Sequence, residues 1–280
     1  MKTAVLTDST AYIPEDVRSS KHIHMVPLNV IFGNEAYKEE VDIEADEFYE
    51  MVRNADQLPK TSQPSVGLVA EKLEELSKDY DAVVAIHLSS GISGTFNGTQ
   101  AASEMVQGID VHAFDSEISC YIQGFYVLEA AEMADNGATP EQILARLEEM
   151  KQSINAYFMV DDLSHLQRGG RLSGAQAFVG SLLQVKPLLH FVDKKIVPYE
   201  KIRTRKKAVK RLVQLFDKEK VAGENYACSV IHANRPEDAK ELKAELEAKY
   251  DDVEVIISYF GPVIGTHLGE GSLGLGWYKK

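Results

Sequence analysis

The chain has few of the features that mark a secreted, membrane-bound or metal-dependent protein. Its 280 residues include only two cysteines, Cys120 and Cys228, far apart and without zinc-site spacing, so a disulfide framework is excluded and two reduced core thiols are expected. No run reaches the roughly 18 apolar residues of a membrane span, and residues 1–8 pass directly into a strand pattern without a targeting segment, which makes a cytoplasmic location the expectation. Basic residues are in the minority, 30 Lys and Arg against 43 Asp and Glu, for a formal net charge of −13. The resulting field repels polyanions and argues against nucleic-acid binding by the surface as a whole. A Walker A sequence is missing, which removes the usual basis for nucleotide hydrolysis, and no second ligand set accompanies any histidine to form a metal site. Neither a metal nor a cofactor is therefore expected. There is no repeat of 20–50 residues and no low-complexity linker.

What the chain does have is 44% hydrophobic residues arranged in alternating strand and helix patterns. Strands are predicted at 4–7, 82–88 and 110–114 and helices at 45–54, 66–78, 95–106 and 121–136, the signature of a parallel sheet covered by helices. After a helix at 141–153 the pattern changes. Strands at 156–160, 188–192 and 196–201, a small-residue helix near 174–183, and a final run of helix 206–218, strand 226–233, helix 236–249 and strand 253–260 suggest a split βαβ layer. The reading is an α/β protein of two domains: an N-terminal parallel α/β domain at 1–155 and a C-terminal α+β domain at 156–280, with a ligand cleft between them.

The most informative stretch is Ser89-Ser90-Gly91-Ile92-Ser93-Gly94-Thr95, which follows the apolar run at 82–88 directly. A polar glycine turn between a buried parallel strand and a helix presents backbone N–H groups and hydroxyls at the carboxyl edge of the sheet, where α/β proteins bind small anions. Asp8-Ser9-Thr10 and Asp115-Ser116 end two further strands and should gather at the same edge. Ser93 is not a hydrolase nucleophile by motif, because Thr95 stands where G-x-S-x-G requires glycine. Gly269-Glu270-Gly271-Ser272-Leu273-Gly274 matches the dinucleotide fingerprint in letters alone, with no room for a βαβ unit after it, so its glycines are read as serving a tight last loop.

Other residues leave alternatives open. His267 lies among Gly261, Gly265 and Gly269, which gives a ligand close access, although a structural loop histidine fits as well. In Lys60-Thr61-Ser62-Gln63-Pro64-Ser65, Ser65 is accounted for as a helix cap while Thr61 and Ser62 are not. Arg203, Arg205, Lys206, Lys207, Lys210 and Arg211 load the first turns of a predicted helix with the wrong sign for its dipole, which fits either anion docking or a solvated face. Arg168-Gly169-Gly170-Arg171 adds two guanidinium groups suited to bidentate anion recognition, or simply facing solvent.

Taken in order, these motifs resemble the DegV family of bacterial fatty-acid-binding proteins, the acyl-carrying partners of a two-component fatty acid kinase. Thr7-Asp8-Ser9-Thr10, residues 60–65, residues 89–95 with Phe96, Phe114-Asp115-Ser116, Gln167-Arg168-Gly169-Gly170-Arg171-Leu172, Lys186-Pro187, Val197-Pro198 with Arg203-Thr204-Arg205, and residues 261–269 carry the resemblance over the whole length. It implies a long-chain fatty acid in an apolar pocket between the domains, its carboxylate held at Thr61, Ser62, Ser93, Gly94 and His267. It further implies presentation of that carboxylate to a separate kinase for acyl phosphate formation in phospholipid synthesis, with Arg171 and Arg203 in docking or phosphoryl-transfer support, and it admits transient membrane contact. At Ser119-Cys120-Tyr121-Ile122-Gln123-Gly124 the chain departs from the family's small residues before Gly-Gln-Gly. The competing reading is a Ser93–His267 hydrolase or transferase oriented by Asp8 or Asp115, acting on a small polar substrate.

Overall fold

The computed structural model describes residues 2–174 and 185–280. The small-residue helix expected near 174–183 falls almost wholly outside the described residues. In chain order the elements begin β1 Thr3–Asp8, α1 Glu15–Ser20, β2 Ile23–Val26, β3 Asn29–Phe32, β4 Glu35–Lys38, α2 Ala45–Asn54 and β5 Lys60–Ser62. They continue with α3 Val66–Leu76, β6 Ala82–His87, α4 Thr95–Ser103, β7 Asp110–Asp115, α5 Cys120–Asp135 and α6 Pro140–Lys151. The later elements are β8 Asn155–Met159, α7 Ser164–Arg168, β9 Lys186–Val192, β10 Lys195–Ile202, α8 Arg205–Glu219, β11 Tyr226–His232, α9 Pro236–Lys249, β12 Val253–Tyr259, α10 Pro262–Leu268 and β13 Leu273–Lys279. Among the described residues no helix is long and apolar enough to cross a membrane.

Two compact units result. One comprises Met1–Ile43 with Thr61–Gln152, the other Glu44–Lys60 with Ser153–Lys280. Glu44–Lys60 thus groups with the second unit, whereas the sequence reading placed it in the first half. The reason lies on α2, where Phe48 and Tyr49 are buried and the Tyr49 hydroxyl donates to the Phe260 carbonyl at 2.6 Å. On the exposed side of the same helix, Arg53 pairs with Glu270 at 3.1 Å.

In the first unit, four strands in the order β2-β1-β6-β7 form an all-parallel sheet. The six residues of β1 and the six of β6 are buried throughout, which is why β6 reads as an apolar run from Ala82 to Ile86 and β1 carries Ala4, Val5 and Leu6 in succession. Leu6, Leu73, Val83 and Ala102 belong to the core on the α3 face. The chain leaves β1 toward β2 on one side, and β6 lies on the other, so the strand order reverses beside β1, whose carboxyl end is where sheets of this kind bind ligands.

The second unit carries a six-stranded mixed sheet in the order β10-β9-β8-β13-β11-β12. Its β10-α8-β11 connection is split, since β9, β8 and β13 stand between two strands of the same direction, while β11-α9-β12 is an ordinary parallel crossover. Leu212 and Phe216 of α8 pack with Leu242 of α9 and with Trp277 of β13, which is fully buried. The tight terminal loop expected from the glycines gives way at Leu273 to this central strand. Gly274 and Gly276 alternate with Leu275 and Trp277 and pair with β8 on one side and β11 on the other.

Candidate functional site

The carboxyl edge of the first unit's sheet is organised around one buried carboxylate. Asp8, at the end of β1 and only 1% exposed, accepts from the Thr10 amide at 3.1 Å, the Thr10 hydroxyl at 2.6 Å, the Leu88 amide at 2.9 Å and Gln123 Nε2 at 3.3 Å. His87 Nδ1 lies 3.1 Å from the same carboxylate, and its Nε2 meets the Thr99 hydroxyl at 2.9 Å. His87, Thr99 and Gln123 are all 0% exposed, so every polar group here needs an internal partner, and the network supplies it. The bond from the Leu88 amide to Asp8 ties the end of β6 to the end of β1 just where the polar turn begins.

That turn is held from several sides. The Ser89 amide donates to the Ile118 carbonyl at 2.7 Å, and the Ile92 and Ser93 amides both donate to the Ser89 carbonyl at 3.1 Å. Asp115 accepts from the Ser90 hydroxyl at 2.5 Å and from the Ser90 and Glu117 amides at 3.1 Å. Ser93 Oγ lies 2.9 Å from Thr95 Oγ1 and accepts from the Thr95 amide at 3.3 Å. Helix α4 starts at Thr95 with Gly94, which brings no side chain of its own, as its cap. Ser93 and Gly94 are half-buried beside that turn, an arrangement that offers hydroxyls, backbone N–H groups and the positive end of a helix dipole to an anion.

The structure also brings the Thr61–Ser65 stretch to this place. A Cβ on Gly94 would stand 1.9 Å from Gln63 Oε1, and one on Gly98 would stand 3.2 Å from Gln63 Nε2, so the Gln63 side chain lies directly over the start of α4. Thr61 is half-buried, whereas Ser62 is exposed and accepts from Asn29 Nδ2 at 3.2 Å. Ser65 caps α3 by accepting from the Leu68 amide at 3.2 Å, as its position suggested.

In the second unit, His267 is not in a loop. It occupies the last turn of α10, which has Pro262 in its first turn and Gly269 just past its end. A Cβ on Gly169 would fall 2.2 Å from His267 Nδ1, so only glycine lets the Arg168-Gly169-Gly170-Arg171 turn approach the imidazole this closely. Arg171 donates through Nη1 to the Gly169 carbonyl. His165, missed in the sequence, stands at the same corner, with Nδ1 3.4 Å from the Thr266 carbonyl. Burial first, and then the charges of Arg171 and His165, push the His267 imidazole down to about 4. It is therefore neutral near pH 7 and has one ring N–H to donate.

Among the described residues, no hydrogen bond or ion pair links Arg203 to that corner. It is exposed just after β10, next to Thr204, which caps α8 by accepting from the Lys207 amide at 3.3 Å. Arg205 is tied down instead, to Asp238 through Nε at 2.8 Å and to the Gly271 carbonyl. Lys206, Lys207 and Lys210 are exposed, and α8 turns Ala208, Leu212 and Phe216 inward.

The orienting acids of the hydrolase reading are engaged elsewhere: Asp8 with His87, Thr10 and Leu88, and Asp115 with Ser90 and Glu117. Burial pushes the Cys120 thiol up to about 12 and that of Cys228 higher still, so neither is a thiolate nucleophile. No group of three or more His, Cys, Asp or Glu side chains able to hold a metal occurs among the described residues.

Residues 2–280 match the family model described as "Uncharacterised protein, DegV family". The chain is 59% identical to Protein DegV of Bacillus subtilis over 281 residues, covering all of both chains. Its fold is similar to the crystal structure of DegV, a fatty acid binding protein from Bacillus subtilis, with a TM-score of 0.95 at 59% identity and full coverage of both chains. It is also similar to a fatty-acid-binding DegV family protein from Thermus thermophilus, with a TM-score of 0.93 at 30% identity and again full coverage of both.

Proposed function

The chain belongs to the DegV family, and on that premise we propose that it binds a long-chain fatty acid by its carboxylate and presents it to a separate fatty acid kinase. The observation that carries the reading is likeness over the whole length to relatives described as fatty-acid-binding proteins. In this reading Ser93, Gly94, Thr61 and Ser62 receive the carboxylate at the start of α4, and His267 donates its remaining N–H to the same group. The half-burial of Ser93 and Thr61, the glycine at the cap of α4 and the neutrality of the imidazole all suit that task.

Magnitudes favour capture over catalysis. Burying about fourteen methylenes at roughly 0.8 kcal/mol each gives about 11 kcal/mol before ordering costs, enough to withdraw an acyl chain from a membrane during transient contact. The hydrogen bonds then orient the carboxylate and leave an oxygen available to accept a phosphoryl group. Arg171 and the exposed Arg203 supply positive charge for docking the kinase or supporting the transfer, with Lys206, Lys207 and Lys210 extending the basic face. The acyl phosphate then serves phospholipid synthesis.

Reconstitution tests this reading. Acyl phosphate should form from fatty acid, ATP and the cognate kinase only when this chain is present, and Arg203→Ala should slow its formation while leaving fatty-acid capture intact. Formation without the chain, or ester hydrolysis by the chain alone, would overturn the proposal.

A further inference from the structure

At the amino end of the first unit's parallel sheet, one length of β1 away from the turns described above, lies a separate cavity of about 290 Å³. Thr3 and Val5 of β1 form one wall, and Ala131 and Ala134 in the last turns of α5 form the facing one. Side chains alternate along β1, and Thr7, on the same face as Thr3 and Val5, meets Gln123 of α5 at 3.2 Å. The Thr3 hydroxyl therefore points toward α5 and into this space. Thr3 is only 7% exposed, yet its Oγ1 makes no hydrogen bond among the described residues. A buried hydroxyl left without a partner is costly, and at the wall of a cavity it is a donor and acceptor waiting for a ligand.

The rim carries mostly positive charge. Lys2, Lys21 and His22 line the cavity against a single acid, Asp135, in a chain of net charge −13. Tyr80 completes the lining, and the Lys2 ammonium sits 4.3 Å from the centre of its ring, a contact that favours its position at the rim. The small side chains of Ala131 and Ala134 leave an apolar wall opposite the cations.

We infer that this cavity is a second binding site, for a small organic anion: a carboxylate or phosphate monoester on a compact apolar or aromatic body. The anionic group meets Lys2 and Lys21, the body lies against Val5, Ala131 and Ala134, and the Thr3 hydroxyl bonds an oxygen of the ligand. A volume of about 290 Å³ has room for an aromatic ring with its anionic group.

The test is an amide NMR titration of the full-length chain with phenyl phosphate, with inorganic phosphate in parallel. Saturable shifts are expected at residues 2–5, 21–23, 80 and 131–135, with a dissociation constant of ~1 mM or tighter. Ala134→Leu, which fills the cavity, should abolish saturation. Lys21→Gln and Thr3→Val should each weaken binding by about fivefold. Thr3→Val should also unfold at a higher temperature, having lost the unpartnered hydroxyl. Inorganic phosphate should bind at least several-fold more weakly than phenyl phosphate; equal affinity would overturn the apolar half of the proposal. Non-saturating shifts, shifts centred on residues 89–95, or undiminished binding by Ala134→Leu would overturn the site itself.

Discussion

Replacing Asp8 with alanine should cost about 3–5 kcal/mol of stability, a large share of the roughly 5–15 kcal/mol that holds a typical domain. The carboxylate is buried and accepts from two amides, a hydroxyl and a carboxamide, with His87 Nδ1 3.1 Å away. Gln123 has alternatives in Thr7 Oγ1 and the Ile86 carbonyl, and the Thr10 hydroxyl also donates to Gln123 Oε1. The Leu88 amide and the His87 ring lose a partner with no such replacement at hand, and each unpaired buried donor costs about 1–3 kcal/mol. Asp8→Asn should recover only part of the loss, because its amide brings a donor into a site made of donors. Urea unfolding followed by circular dichroism measures both. A loss below about 1 kcal/mol for Asp8→Ala would mean that the network does not hold the sheet edge together.

Ser93→Ala and His267→Ala are each expected to weaken fatty-acid binding by roughly 10- to 100-fold, the worth of a hydrogen bond to a charged acceptor. If both groups hold one carboxylate, the double variant should lose less than the product of the two single losses, because removing either one lets the carboxylate relax away from the other. Since burial and Arg171 keep His267 near 4, its loss should weigh equally at pH 6 and pH 8. Equilibrium titration of the delipidated chain reads all three quantities. Full affinity in both single variants would remove these residues from the site.

How much of this was legible in the sequence depended on whether a signal was local. The parallel strands β1 and β6 stood out because burial on both faces places apolar residues in succession, Ala4–Leu6 in one and Ala82–Ile86 in the other. Helix α9, at Pro236–Lys249, was bounded to the residue by its leading proline. The hairpin β3-β4, four residues to each strand with Val30 alone buried, left too little pattern to read. Helix α10 was hidden by its glycines, although Pro262 in the first turn and Gly269 past the last are the punctuation of a short helix and were there to be used. Alternating glycines concealed β13 in the same way, despite the period-two spacing of Leu273, Leu275 and Trp277.

The site divided along the same line. Ser89–Thr95 was found because a strand, a polar turn and a helix follow one another in sequence. That Gln63 covers Gly94, or that Gly169 abuts His267, depends on contacts across many residues that no local pattern encodes. His87 was the one clue left unused: a lone polar side chain inside an apolar strand must find a buried partner, and Asp8 is that partner.

The central claim is that this chain captures a long-chain fatty acid, and native mass spectrometry of freshly purified protein, followed by solvent extraction, tests it most directly. The predicted result is a stoichiometric mass increment that matches one long-chain fatty acid, recovered in the extract. A chain that carries no lipid and takes up none when fatty acid is offered would contradict the account.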